Sequence, residues 1–490
     1  MSKQNKYVLE REDEDFFSSH AEHLVEQVSI DIPVSNKVDF VSSARGASAN
    51  EIGDHARTAA HAPKVDRGAD FLAGASGSGN MPFTDPALDT LANFLTDGYW
   101  VGKPDGYRQF AVGPGGTLTI DIGALTNAGK TLAKWALDAW EDASGLNFKF
   151  VSKNADIRFD DKGQSAFSTS NVSNHLINSS FVNIATKWID HYGHGEHTYS
   201  MQTYIHEIGH ALGLGHAGNY NGSATYNPNK HFANDSWQAS VMSYFSQGDN
   251  TDVDADVAFV LTPQVADIIA IRDLYGETAI RAGDNDYSFK GDFLKYYATR
   301  TIVDTGGIDT IDLSWSQRKQ TINLNAETFS SVDGVKGNLG ISRDTVIEVA
   351  IGGRGADKII GNEAANALFA NGGKDRMTGG GGEDFFVFDT AASNKNVDTI
   401  MDFTVNVDTL AFNNKVFTKL GGDGALSAGA FSSGTTGIAQ DADDHLIYDT
   451  DSGKLFYDKN GSAQGGSVLV AQLATNLALE AGDFGDFLVI

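Results

Sequence analysis

The chain has 490 residues, with 36 Lys and Arg against 64 Asp and Glu (net charge −28), 54 glycines, 8 prolines and no cysteine. That length implies more than one domain and ample core, while the acidity argues against nucleic acid and anionic membrane as partners, since both would repel it. Without cysteine there is no disulfide framework, and no run approaches the ~20 apolar residues that span a bilayer, so bound metal is the natural source of stability outside a cell.

Residues 1–75 are polar and show little periodicity, and GASGSGN (74–80) reads as a flexible linker. This stretch is expected to be a leader or prosegment, or an ordinary mobile terminus. Its histidines, His20, His23, His55 and His61, are assigned no site. The opening MSKQNKYVLEREDEDFF carries charge where the apolar part of a secretory signal would lie. From about Pro82 the chain turns globular. Residues 131–145 place Leu132, Trp135, Ala136, Ala139, Trp140 and Ala143 on one helical face, with a glycine at the end. LNFKFV and ADIRF follow, alternating like half-buried strands. His191, His194 and His197 (WIDHYGHGEH) are read as a solvated loop rather than a second metal site.

HEIGHALGLGH (206–216) carries the strongest chemical signal. His206 and His210 are four apart, so on a helix they lie one turn apart on one face, and Glu207 sits beside them without being a ligand. Gly213 lets the helix end in a left-handed turn, after which His216 can return as a third ligand. Three histidines leave one tetrahedral position of Zn²⁺ open, the mark of a catalytic site, with Glu207 as the expected general base. SVMSY (240–244) follows, with Met242 expected to form an apolar floor under the imidazoles. Residues 262–276 read as a further helix, with Pro263 in its first turn.

Composition then shifts to Gly, Asp and β-formers. Steps of nine from Gly352 give GGRGADKII, GNEAANALF, ANGGKDRMT and GGGGEDFFV. The sixth places are Asp357, Asn366, Asp375 and Asp384, and the eighth are Ile359, Leu368, Met377 and Phe386. The phase matches a Ca²⁺-binding nonapeptide that folds as a parallel β-roll. Glycines Gly352, Gly353, Gly355, Gly373, Gly379, Gly380 and Gly382 would turn backbone carbonyls inward, a carboxylate at the sixth place would add charge, and Ca²⁺ takes six to eight such oxygens. The second unit departs, with Glu363, Ala364 and Asn366, and the third begins Ala370-Asn371, so fewer or weaker ions are expected than four ideal repeats would hold.

From about residue 80 to 490 the chain resembles the serralysin-type metzincin proteases, secreted zinc enzymes of Gram-negative bacteria. The resemblance rests on the zinc motif, the methionine turn at Met242 and the repeats. It implies a multidomain protein: an α+β metzincin zinc-protease domain (76–276), an all-β parallel β-roll of the RTX type (277–400) and a C-terminal β region (401–490). It implies that Tyr244 is an additional zinc ligand or a transition-state donor. It also implies further calcium positions at Arg281, Gly283, Asp304, Gly306, Gly307 and Asp309, with Glu348 before the repeats. The end DFGDFLVI is like the signal of the one-step (type I) export route, though a charge before four apolar residues also reads as a buried final strand. The implied protein is a monomeric extracellular zymogen that acts on proteins and peptides, is exported by type I secretion machinery without an N-terminal signal, and does not insert stably into membranes. Three positions depart from the family: Gly215 where Ser is usual, Ala217 where Pro is usual, and Asn406 where Gly is common. A calcium-dependent adhesion module with an inactive protease-like domain and a narrow processing enzyme are the alternatives.

Overall fold

The computed structural model describes residues 86–103, 106–222, 224–293, 297–482 and 486–490. The expected leader lies outside the described residues. Helix α1 (Pro86–Thr96) buries Leu88, Leu91, Ala92 and Leu95, spaced three and four apart. Strand β1 (Thr117–Asp121) leads into α2 (Asn127–Ser144), which starts four residues before the predicted 131 because the Thr126 side chain accepts from Gly129 N. It ends at Gly145 in the left-handed conformation (φ 67). Strands β2 (Asn147–Phe150), β3 (Ile157–Asp160), β4 (Ala166–Ser173) and β5 (Leu176–Ile184) complete a sheet of order β2-β1-β3-β5-β4, parallel except for β4 at its edge.

A short helix α3 (Thr186–Tyr192) replaces part of the expected loop, and α4 (Tyr199–Leu212) then crosses the core with almost every residue buried. Trp140 of α2, fully buried, donates from its indole to the Ile205 carbonyl (2.9 Å) and so ties α2 to α4. Helix α5 (Val265–Tyr275) opens on a reciprocal cap between Gln264 and Asp267 and packs against α1. Among the described residues no helix is long and apolar enough to cross a membrane.

The second part is rich in parallel strands. Val349–Ile351, Ala367–Phe369, Phe385–Phe388 and Thr409–Phe412 pair in turn on one face. Thr321–Asn323, Lys358–Ile360, Arg376–Thr378 and Asp398–Ile400 do so on the other. Partners such as Val349 and Ala367 are 18 residues apart, so two nonapeptides make one coil, each giving a turn and a short strand to alternate sheets. The eighth-place residues Ile359, Leu368, Met377 and Phe386 are fully buried, as the period predicts. The last strand, Phe487–Val489, pairs in parallel with Thr409–Phe412, so the apolar end of the chain is a buried strand of this sheet.

The two parts interlock. Phe259–Val260 pairs with Ala298–Ile302, Gln238 donates to the Gly337 carbonyl (3.0 Å), and Arg343 bridges Asp89 and Glu327.

Candidate metal centre and catalytic cleft

The metal centre is built on the C-terminal half of α4. Thr198 caps the helix by accepting from Met201 N (3.4 Å), and its pitch sets His206 one turn from His210, the rings edge to face with centroids 4.6 Å apart. Gly213 ends it at φ 116, and a Cβ there would lie 2.2 Å from the Arg108 carbonyl oxygen, so no other residue fits. The chain turns back and brings His216 Nε2 to 2.9 Å from His210 Nε2.

Each imidazole is oriented by a backbone carbonyl. His206 Nδ1 donates to Val241 O (2.8 Å), His210 Nδ1 to Leu214 O (2.8 Å) and His216 Nδ1 to Tyr220 O (2.9 Å). Carbonyls only accept, so each Nδ1 carries the hydrogen and each Nε2 presents a lone pair. Burial pushes His206 down to about 4, and burial together with the neighbouring histidines holds His210 and His216 well below the usual range. Three neutral imidazoles with converging lone pairs repel one another, and a cation between them removes that repulsion. The donor set therefore fits Zn²⁺. Among the described residues, these are the three ligating side chains whose atoms lie within 4.8 Å of one another.

Glu207 is 6% exposed and, with His206, faces a cleft lined by Trp188, Tyr199, Thr203, Val241 and Ser243. Met242, fully buried, packs against Gly209, where a Cβ would stand 2.6 Å from the Met242 sulfur and 3.1 Å from the Trp140 ring. Sequence reasoning missed Gly209, because nothing in a helical glycine announces what lies against it. It also missed Asp267. From the start of α5 this buried carboxylate accepts from Ser240 Oγ (2.6 Å), Val241 N (2.7 Å) and Gln264 N (2.8 Å), so it anchors the methionine turn. Burial pushes Asp267 up to about 6.

Tyr244, 2% exposed, packs its ring 4.5 Å from that of His216, and its hydroxyl accepts from Gly222 N (3.4 Å). Tyr220 stacks behind it and donates to Asp235 Oδ1 (2.9 Å), which also accepts from Ser243 Oγ (2.6 Å). Two unusual positions now have structural partners. Tyr99 lies where a side chain on residue 215 would be and brings its hydroxyl to 3.1 Å from His216 Nδ1. The Ala217 N–H donates to Met242 O (3.2 Å), a bond that proline could not make. The three histidines of the loop do not converge: His194 pairs with Asp190 and His197 with Asp292.

The calcium candidates fall into two columns along the roll. In one, Asp309 N donates to Glu348 (2.8 Å), Asn366 N to Asp384 (2.9 Å) and Asp384 N to Asp408 (3.2 Å). In the other, Asp357 N donates to Asp375 (2.6 Å) and Asp375 N to Asp398 (3.1 Å). Gly352 and Gly353 enter the turn whose Asp357 carboxylate accepts from Gly353 N (2.7 Å), and Gly373 packs on the Gly355 carbonyl. Gly379, Gly380 and Gly382 form the turn over Asp384. Upstream, Asp304 accepts from Tyr287 (2.5 Å) and Gly306 N (3.0 Å), Gly307 packs on Gly283, and Arg281 donates to Val303 O (3.0 Å). Asp398, Asp402, Asp408 and Asp486 join these columns without having been singled out for them. The spacing beyond residue 387 lengthens and hides the phase. Asp486 accepts from Asn406 N (2.8 Å), so the final strand continues the column.

A family model described as Peptidase M10 serralysin C terminal matches residues 278–448, and one described as Peptidase M66 matches residues 132–241. The serralysin of Photorhabdus luminescens is 36% identical over 269 residues, covering 51% of this chain and 55% of that protein. Serralysin C of Dickeya chrysanthemi is 35% identical over 253 residues, covering 46% and 52%. The chain thus spans about half the length of these curated relatives. Metalloprotease AprA of Pseudomonas entomophila is 32% identical over 364 residues, covering 63% of this chain and 69% of that protein. The chain belongs to the serralysin-type metalloprotease family. Backbone carbonyls orient the three buried histidines of the motif, so they form a triad that could hold a metal rather than three separate surface imidazoles.

Proposed function

We propose that the protein is a secreted zinc endopeptidase whose C-terminal roll is folded and held by calcium. The observation that carries the reading is the convergence of three Nε2 lone pairs beside a buried glutamate at the edge of a cleft. Zinc, held by His206, His210 and His216, would supply a Lewis acid that polarises a peptide carbonyl and acidifies water. Glu207 takes the proton from the attacking water and returns it to the leaving amine, first as general base and then as general acid. The Tyr244 hydroxyl donates to the tetrahedral oxyanion, and Met242 keeps the floor beneath the imidazoles dry. The paired carboxylates of the roll support calcium there. Burial and neighbouring carboxylates push Asp375 and Asp384 up to about 8, a strain that a divalent cation relieves. Export by a one-step route is carried by the resemblance alone.

Casein hydrolysis and zinc content, measured on the calcium-loaded protein beside Glu207→Gln, test the proposal. One zinc in both and a loss of turnover of ~10²–10⁴-fold in the variant is the expected result. Equal cleavage by the variant would overturn the assignment of the base, and protein that binds no zinc would overturn the enzyme.

A further inference from the structure

One turn of the roll has the wrong chemistry for a cation. In the turn 361–366, asparagines occupy both the second and the sixth places, where the turn 352–357 has Gly353 and Asp357. Both are buried, Asn366 completely. Their side-chain nitrogens point back at the preceding coil. Asn362 Nδ2 donates to Leu324 O (3.2 Å) and Ile347 O (2.8 Å). Asn366 Nδ2 donates to Ile347 O (3.2 Å), Glu348 O (3.3 Å) and Asn362 Oδ1 (3.2 Å). The side-chain oxygens are also engaged: Asn362 Oδ1 accepts from Ala364 N (2.9 Å) and Asn366 Oδ1 from Asn362 N (2.7 Å).

We propose that the rung between the turn 343–348 and the turn 361–366 is closed by this pair of amides and takes no calcium. The inference rests on the calcium reading of the other rungs. A calcium ion needs six to eight oxygens turned toward it. Here the carbonyl oxygens of Leu324, Ile347 and Glu348 already accept N–H donors, and those donors stand where the ion would. Each amide NH₂ carries partial positive charge, so it satisfies the same carbonyls as the cation and repels a cation brought near. The rung is a clasp that closes without ion and therefore without dependence on the calcium level. Asp357/Asp375 in the other column and Asp384/Asp408 further along this one keep carboxylates at the sixth places.

The test is the number of calcium ions per full-length chain, by equilibrium dialysis and elemental analysis, in the natural protein, Asn366→Ala, Asn362→Gly with Asn366→Asp, and Asp375→Asn. Asn366→Ala is expected to leave the number unchanged, the double exchange to raise it by one, and Asp375→Asn to lower it. Loss of an ion on Asn366→Ala would overturn the clasp while leaving the calcium reading standing. An unchanged number in a double exchange that folds, judged by far-UV circular dichroism in calcium, would do the same. Should the double exchange not fold, Asn366→Ala decides alone. A natural protein that binds no calcium, with Asp375→Asn indistinguishable from it, would overturn both readings together.

Discussion

Gly209 shows how narrow the tolerances of this site are. The Met242 sulfur and the Trp140 ring fill the space a Cβ would take, at 2.6 and 3.1 Å, so both side chains pack on the helix backbone one residue before His210. Gly209→Ala gains helix propensity but overpacks the floor, and a net loss of about 1–3 kcal/mol is expected, read as a lower thermal midpoint with weaker zinc retention. A midpoint at or above that of the natural protein would show the floor to be loose. Tyr244 offers a cleaner separation of roles. Its ring packs on His216 and its hydroxyl accepts from the Gly222 N–H, so Tyr244→Phe keeps the packing and loses the hydroxyl; it should retain zinc and lower kcat by ~10²–10³-fold, the usual loss for one oxyanion donor. Loss of zinc on this change would make the tyrosine a ligand first and a donor second.

Helix α5 supports the histidine triad although it contributes no histidine to it. Through Asp267 its N-terminus accepts from the backbone of Val241 and the hydroxyl of Ser240, and Val241 in turn accepts the Nδ1 hydrogen of His206. The cap of one helix thus orients a histidine of the triad on another. Asp267→Ala strands several buried donors at about 1–3 kcal/mol each, so unfolding in urea should move to distinctly lower concentration and zinc affinity should fall with it. If stability falls and zinc affinity does not, the methionine turn is held by other contacts. Helix α2 plays the parallel part through the Trp140 bond to Ile205. The nonapeptides were legible at this same scale, because alternation between two sheets needs a short period with one apolar residue in each unit, and that period is written in the chain.

Over the whole molecule, the roll gathers the largest group of raised carboxylates. Asp375 and Asp384 are pushed to about 8, Asp309 and Glu348 to about 7, and Asp357 and Asp398 to about 6, by burial first and then, at most of them, by neighbouring carboxylates. Their ordinary values are 3.8 for Asp and 4.5 for Glu. Between those values and about 8 the folded, calcium-free roll holds more protons than the unfolded chain, so its stability falls as pH rises. The contribution is full below about pH 4 and lost by about pH 8. In chelator the thermal midpoint of the roll should therefore drop from about pH 4.5 to about pH 7.5, whereas saturating calcium, which needs ionised carboxylates, should reverse the trend. A midpoint that rises with pH in chelator would contradict the arrangement of the columns.

By itself the sequence determined the three histidines, the glutamate beside them and the short strands that alternate between two sheets. Each is set by a local rule: the pitch of a helix, the freedom of Gly213, or a repeat of nine. Tertiary structure alone decided what those local elements meet. The carbonyls of Val241, Leu214 and Tyr220 orient the imidazoles, but a backbone carbonyl has no signature in a sequence. Asp267 reaches the methionine turn across 26 residues, and Asp486 reaches Asn406 across 80, so only packing could pair them. The end of the chain read equally as a signal or as a strand until its partner Thr409–Phe412 was in place. The direction of the Asn366 amide was hidden as well, because composition says which groups a turn carries and not which way an amide points.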